Sequence, residues 1–148
     1  MTKRHYEDIE VGEVHDLGSY QVSAEEIQRF AERYDPQPFH IDPEAATESP
    51  YGGLIASGWH TGSICMRLAV EGFLNDTVTM GAFGLDELRW RTPLHAGDTV
   101  SATLEITGKR ESGSRDDRGY IENEVTGTNG DGGEVIFWRA TNIFGRRE

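Results

Sequence analysis

Asp35-Pro36-Gln37-Pro38-Phe39-His40 sets a carboxylate and an imidazole five residues apart, on a stretch stiffened by two prolines. Each proline fixes its own φ and biases the residue before it toward extended backbone. Such a stretch can hold two titratable side chains in a set relation without a metal. An Asp and a His that share a water can do general acid–base chemistry near neutral pH. The competing reading of the same residues is a turn in which Asp35 caps a helix and His40 is polar surface. His40 with Asp42 supplies two ligands only, too few for a metal centre, so no metal is expected.

Composition bounds what this chemistry can serve. The chain has 148 residues and 16.5 kDa, enough for one domain, 1–148, with a proper core. No apolar run approaches the length of a bilayer span, and the polar stretch Met1 to Glu10 does not read as a secretory signal. The single cysteine, Cys65, excludes an internal disulfide and a cysteine-based metal cluster. A cytoplasmic protein is expected. The net charge is −12, with 26 Asp and Glu against 14 Lys and Arg; Lys3 and Lys109 are the only lysines. A nucleic-acid binder shows the opposite balance. The acids are scattered, so they form no acidic tail. Either the surface is salt-adapted (halophilic), remaining folded as salt screens its self-repulsion, or it is that of an ordinary acidic cytosolic protein.

Elements with clear sequence signals flank the Asp35–His40 stretch. Val14 to Val22 reads as a strand. Ser23-Ala24-Glu25-Glu26 is a capping box, and Ile27, Phe30, Ala31 and Tyr34 follow as one apolar helical stripe. Pro36 ends that helix and delivers the chain into the Asp35–His40 loop. Asp42-Pro43 opens a short helix through about Glu48, and Ser49 to Gly53 is a loop. From Gly58 to Leu74, His60, Ser63, Arg67 and Glu71 fall on one narrow stripe and nearly everything else is apolar. A helix apolar round most of its circumference must be buried on several sides, and a curved sheet wrapped round it achieves this. The sheet comes from Thr79–Arg91, from Val100, Ala102, Leu104 and Ile106 in strict alternation, from Tyr120–Thr128, and from Glu134–Phe144. Pro93–Asp98 is a turn, Ser112–Gly119 a charged loop, and Asn129–Gly133 a hairpin turn. The layout is α+β, four or five largely antiparallel strands round one long helix.

With these pieces in place, the sequence resembles the MaoC-like acyl dehydratases, also known as (R)-specific enoyl-CoA hydratases. Their motif runs Asp-x-Asn-Pro-x-His, then Ile-x-His-Gly at the start of the central helix. Here the first part is Asp35 to His40, with Gln37 where Asn is usual. The second is Leu54-Ile55-Ala56-Ser57-Gly58, with Ser57 where His is usual. A subgroup reading Asp-Pro-Gln-Pro-Phe-His and Ala-Ser-Gly-Trp-His-Thr is closer, and both strings stand here at 35–40 and 56–61. Pro93-Leu94-His95-Ala96-Gly97-Asp98 fits the family's turn between strands. The likeness spans roughly residues 6 to 146.

The resemblance implies a hot-dog fold and the reversible hydration of a 2-enoyl-CoA to a 3-hydroxyacyl thioester, a reaction of fatty acid metabolism. It implies Asp35 and His40 as the catalytic pair that activates the water, and the Gly58 backbone N–H as donor to the thioester oxygen. Gln37 and Ser57 are expected at the substrate. No cofactor is implied beyond the coenzyme A carried by the substrate, and neither nucleic acid nor membrane is expected as a partner. A homodimer, or an oligomer built from it, is expected through the Thr79–Arg91 segment, with the ligand tunnel along the interface. For Gly58, tight helix–strand packing competes with the catalytic role. His60 reads as a core or hydrogen-bonding histidine, and His5, His15 and His95 as surface. Arg89, Arg91, Lys109, Arg110, Arg115 and Arg118 are candidates for the CoA phosphates. Two other functions remain open: a hot-dog acyl-CoA thioesterase with Glu71 or another helix carboxylate as base, and a non-catalytic acyl-CoA-binding subunit. Neither needs the Asp35/His40 pair.

Overall fold

In the computed structural model, which describes residues 2–147, the alternating segments form five strands: β1 (Val14–Gln21), β2 (Thr79–Arg89), β3 (Thr99–Glu111), β4 (Arg118–Thr128) and β5 (Glu134–Gly145). They make one antiparallel sheet in the order β1-β3-β4-β5-β2. The inward residues of β3 and β4, Val100, Ala102, Leu104, Ile106, Ile121 and Val125, are buried, while their neighbours along the strands are more exposed. The β4–β5 turn closes on Asn129, whose side-chain oxygen accepts from the Asp131 and Gly133 N–H groups at 3.0 and 2.9 Å.

Four helices complete the fold: α1 (Ala24–Tyr34), α2 (Pro38–Ile41), α3 (Pro43–Glu48) and α4 (Gly58–Gly72). The capping box of α1 is present, with the Glu26 N–H donating to Ser23 Oγ at 3.1 Å and Glu26 Oε1 accepting from the Ser23 N–H at 3.1 Å. Asp42 caps α3 through the Glu44 and Ala45 N–H groups. Helix α4 lies against the sheet and buries Ile64, Cys65, Leu68 and Ala69 in the common core with Leu17, Leu104, Val125 and Ile136. This is the wrapped-helix arrangement of the hot-dog fold.

Three features differ from the sequence expectation. Residues 38–41 form a helical turn rather than a plain loop, because Pro38 occupies the first helical position with its φ already set. The α1 stripe stops short of Tyr34, which is exposed. Helix α4 is not covered all round: Trp59 is 60% exposed and Met66 42%. Both lie beside β2, which is exposed along most of its length, is paired only to β5, and carries three register shifts, with positive φ at Gly81 and Gly84. An edge strand bulged in this way closes less of the sheet over the helix than a regular one.

Candidate active site

Helix α1 ends where Asp35 donates its N–H to the Ala31 carbonyl at 2.8 Å and Pro36 forbids a further turn. Gln37 then caps α2, and the His40 N–H donates to the Gln37 carbonyl at 2.9 Å. This single turn swings His40 back over Asp35. The His40 side chain is 5% exposed and its Nε2 lies 3.3 Å from Asp35 Oδ2. The other ring nitrogen, Nδ1, is 2.7 Å from the Ile55 carbonyl. A carbonyl only accepts, so Nδ1 carries the proton, and in the neutral ring Nε2 carries a lone pair. Nε2 and the Asp35 carboxylate are therefore two acceptors facing one another. A water that gives one hydrogen to each satisfies both, and keeps its oxygen lone pairs free to attack.

Asp35 is held from two further sides. Gln37 Nε2 donates to its Oδ1 at 2.7 Å, and the buried Ser57 hydroxyl beside it favours its ionised form. Burial pushes the carboxyl upward, but the neighbouring Ser57 hydroxyl, the Gln37 hydrogen bond and, whenever its ring is protonated, His40 outweigh it and hold Asp35 below its ordinary range. Ser57 is also the N-cap of α4, accepting from the Trp59 N–H at 3.3 Å. Its carbonyl takes the His60 and Thr61 N–H groups. Among the described residues this leaves the Gly58 N–H, first in the helix, without an acceptor. Such unpaired groups at a helix start favour an anion.

The Trp90 indole lies directly on Gly58. Its Nε1 donates to the Gly58 carbonyl at 2.9 Å. A Cβ on Gly58 would stand 2.4 Å from Trp90 Cε2, so no other residue fits without displacing the ring. Asp35, Gln37, His40, Gly58, Trp59 and Trp90 together line a cavity of about 450 Å³.

The profile of the family described as "MaoC like domain" matches residues 8–129. The chain belongs to this family. It is 38% identical to a MaoC-like dehydratase from Rhodospirillum rubrum of known structure, with a TM-score of 0.89 over 98% of this chain and 99% of that one. It is 31% identical to the uncharacterized protein YdeM of Bacillus subtilis, over 70% of this chain and 74% of that one. It is 32% identical to the 3-hydroxyacyl-thioester dehydratase Z of Mycobacterium tuberculosis, over 63% of each; the match thus spans under two thirds of that dehydratase. Membership in the MaoC-like family supports, in general terms, a hydratase or dehydratase of acyl thioesters.

In this MaoC-like chain the residues expected at the site divide. Asp35, His40, Gln37 and Gly58 line one cavity. Ser57, expected at the substrate, is 0% exposed, does not border that cavity, and caps α4. His60 is buried and stacks on Phe30 at 4.7 Å, with Nδ1 unpartnered and burial lowering its pKa. The histidines expected on the surface are partly buried. His15 binds Glu13, and His95 Nε2 lies 2.9 Å from the Tyr51 carbonyl. Of the six basic candidates for CoA, only Arg91 borders the cavity, where it pairs with Glu134 at 2.8 Å. Lys109 is engaged by the Tyr6 and Ile9 carbonyls, and Arg118 by Asp117.

That Trp90 covers Gly58 is not legible in the sequence, because the two are 32 residues apart. Nor is a second chamber of about 300 Å³ beyond the Trp59–Trp90 pair, whose rings meet edge to face at 5.1 Å. That chamber has an almost wholly apolar wall.

Proposed function

We propose that this protein adds water reversibly across the 2,3 double bond of a 2-enoyl-CoA, forming the 3-hydroxyacyl-CoA. The observation that carries this reading is the acceptor pair of Asp35 and His40 Nε2, 3.3 Å apart, with Nδ1 committed to the Ile55 carbonyl. A water held between them gives its hydroxyl to C3 and a proton to the pair, and the pair returns a proton to C2. The two groups act as one unit, so acid and base roles belong to the pair. Negative charge gathers on the thioester oxygen during addition, and the Gly58 N–H is the donor available to it. The apolar chamber behind Trp59 and Trp90 suits the acyl tail. Arg91 is the basic residue that borders the catalytic cavity and is the candidate to meet coenzyme A there.

Thioester hydrolysis by Glu71 is disfavoured. That carboxylate is exposed, pairs with Arg67 at 3.3 Å, and does not border the cavity. A homodimer is part of the reading. β2 is an edge strand, and Phe83, Leu85, Trp59, Met66 and Trp90 are all exposed on or beside it, a concentration of apolar surface that a second copy would cover. Light scattering coupled to size exclusion in molar salt is expected to give twice the chain mass; an active species of 16.5 kDa would refute it. Crotonyl-CoA tests the reaction. Loss of enoyl-thioester absorbance without free thiol is expected. Release of free thiol would mean hydrolysis, and no change in either would mean a binding protein; both would overturn the reading.

A further inference from the structure

The inward rows of β4 and β5 are apolar except at two amides. Asn123 on β4 is 4% exposed and stands in the inward row between Ile121 and Val125. Asn142 on β5 stands in the inward row between Ala140 and Phe144. Asn123 Nδ2 donates to Asn142 Oδ1 at 2.9 Å. An amide in an apolar wall is unfavourable unless its hydrogen bonds are made, and this bond satisfies one half of each. Asn123 Oδ1 and Asn142 Nδ2 make no other hydrogen bond among the described residues, and neither is sealed off as a buried orphan. Both residues line the apolar chamber. The pair thus offers one acceptor and one donor to whatever fills it.

The pair sits at the end of the chamber away from the catalytic cavity. Strand β2 runs along β5 with Leu88 opposite Trp138 and Ala82 opposite Asn142. Trp90, two residues beyond Leu88, and Gly58 beneath it mark the catalytic end. Asn142 is four residues beyond Trp138 on β5, about 13 Å at the rise of an extended strand. A group meeting the amides is therefore remote from C2 and C3, and is not the hydroxyl formed in the reaction. Among the described residues no Lys, Arg, Asp or Glu lines the chamber, so none of them balances a carboxylate there. A hydroxyl both donates and accepts, and complements the pair.

We propose that the Asn123–Asn142 pair makes the chamber selective for acyl chains carrying an uncharged hydroxyl group far from the thioester. This rests on the reading of the substrate as a 2-enoyl-CoA. A site built to hydrogen-bond a substrate hydroxyl discriminates strongly against the analogue that lacks it.

The test uses trans-2-enoyl-CoA thioesters of increasing length, each paired with its ω-hydroxy counterpart. At the length that reaches the amides, the wild-type protein is expected to prefer the hydroxylated member in kcat/KM by about tenfold or more. Asn123→Leu combined with Asn142→Leu replaces both partners by apolar groups of similar size, a change that is often nearly neutral for stability. It is expected to abolish or reverse the preference while hydration of the plain chains continues. Asn142→Ser, a smaller change, is expected to weaken the preference and serves if the double variant does not fold. Equal rates within every pair for the wild type, or a preference that survives both variants, would overturn the proposal. Calorimetric binding of saturated acyl-CoA with and without the ω-hydroxyl separates the two readings. If no enoyl thioester is hydrated but the hydroxylated ligand binds about tenfold tighter, the chamber assignment stands and the reaction assignment fails.

Discussion

The catalytic cavity and the apolar chamber share one wall, the Trp59–Trp90 pair, yet they are built in opposite ways. The cavity's reactive groups come from two short pieces of chain, residues 35–40 and 55–58, joined by the hydrogen bond from His40 to the Ile55 carbonyl. Prolines and helix ends set its geometry. The chamber draws its wall from α4 and from four strands, β2 to β5, elements spread over most of the chain. Chemistry that depends on angle is placed on locally stiffened backbone. Recognition of an acyl tail is left to packing between distant elements, where single side chains can change without disturbing the reaction.

Changes in the cavity should therefore act on turnover, and changes in the chamber on substrate choice. The largest effect is expected from Asp35→Asn or His40→Ala, each lowering kcat on crotonyl-CoA by at least about a hundredfold, with circular dichroism unchanged because neither side chain belongs to the apolar core.

Gly58→Ala comes next. Its Cβ would meet Trp90 at 2.4 Å, so the indole or the helix start must move, and kcat is expected to fall by about tenfold or more, typical of a disturbed oxyanion donor or a small displacement of reacting groups. In a Trp90→Ala background the same change should do much less. An equal loss in both backgrounds would break the link between Trp90 and Gly58.

Ser57→Ala acts through pH. The ionised Asp35 carboxylate is the acceptor the water needs, and in the native protein it is held below the usual carboxylate range. The stability Asp35 contributes is then fully present above its unfolded pKa and is lost as pH falls through the lower folded value. Activity should fall over that same low range. Removing the Ser57 hydroxyl takes away one cause of the depression, so the acid limb of kcat/KM should move to higher pH, and loss of the α4 cap should lower stability by about 1 kcal/mol. A limb that does not move would show that Ser57 serves the helix alone.

The smallest and most diffuse effect concerns neither region. With a net charge of −12 and two lysines, a salt-adapted surface predicts a melting temperature that rises steadily with KCl as self-repulsion is screened. A flat response from dilute to molar salt would contradict it.

The same contrast explains what could be read from the sequence. The strands of alternating Val100 to Ile106, the Ser23–Glu26 capping box and the Asp35–His40 spacing are short-range signals, and they appear in the structure where expected. The α+β layout followed from one apolar helix among strands, and the hot-dog fold from the family resemblance. What escaped is long-range. Trp90 over Gly58 and Asn123 against Asn142 join residues whose proximity depends on strand register or on the packing of one element's end against another. The exposure of Trp59 and Met66 escaped for a related reason: an apolar side chain announces that it should be covered, but not whether its own chain or a second copy does so.

The central claim is that Asp35 and His40 act as one unit on one water. Its most direct test is a double-mutant cycle in kcat on crotonyl-CoA with Asp35→Asn, His40→Ala and the two combined. Groups that act together lose their joint effect at the first substitution, so the combined variant is expected to be within a few-fold of the poorer single variant. Losses that multiply, or near-native turnover in either single variant, would contradict the account.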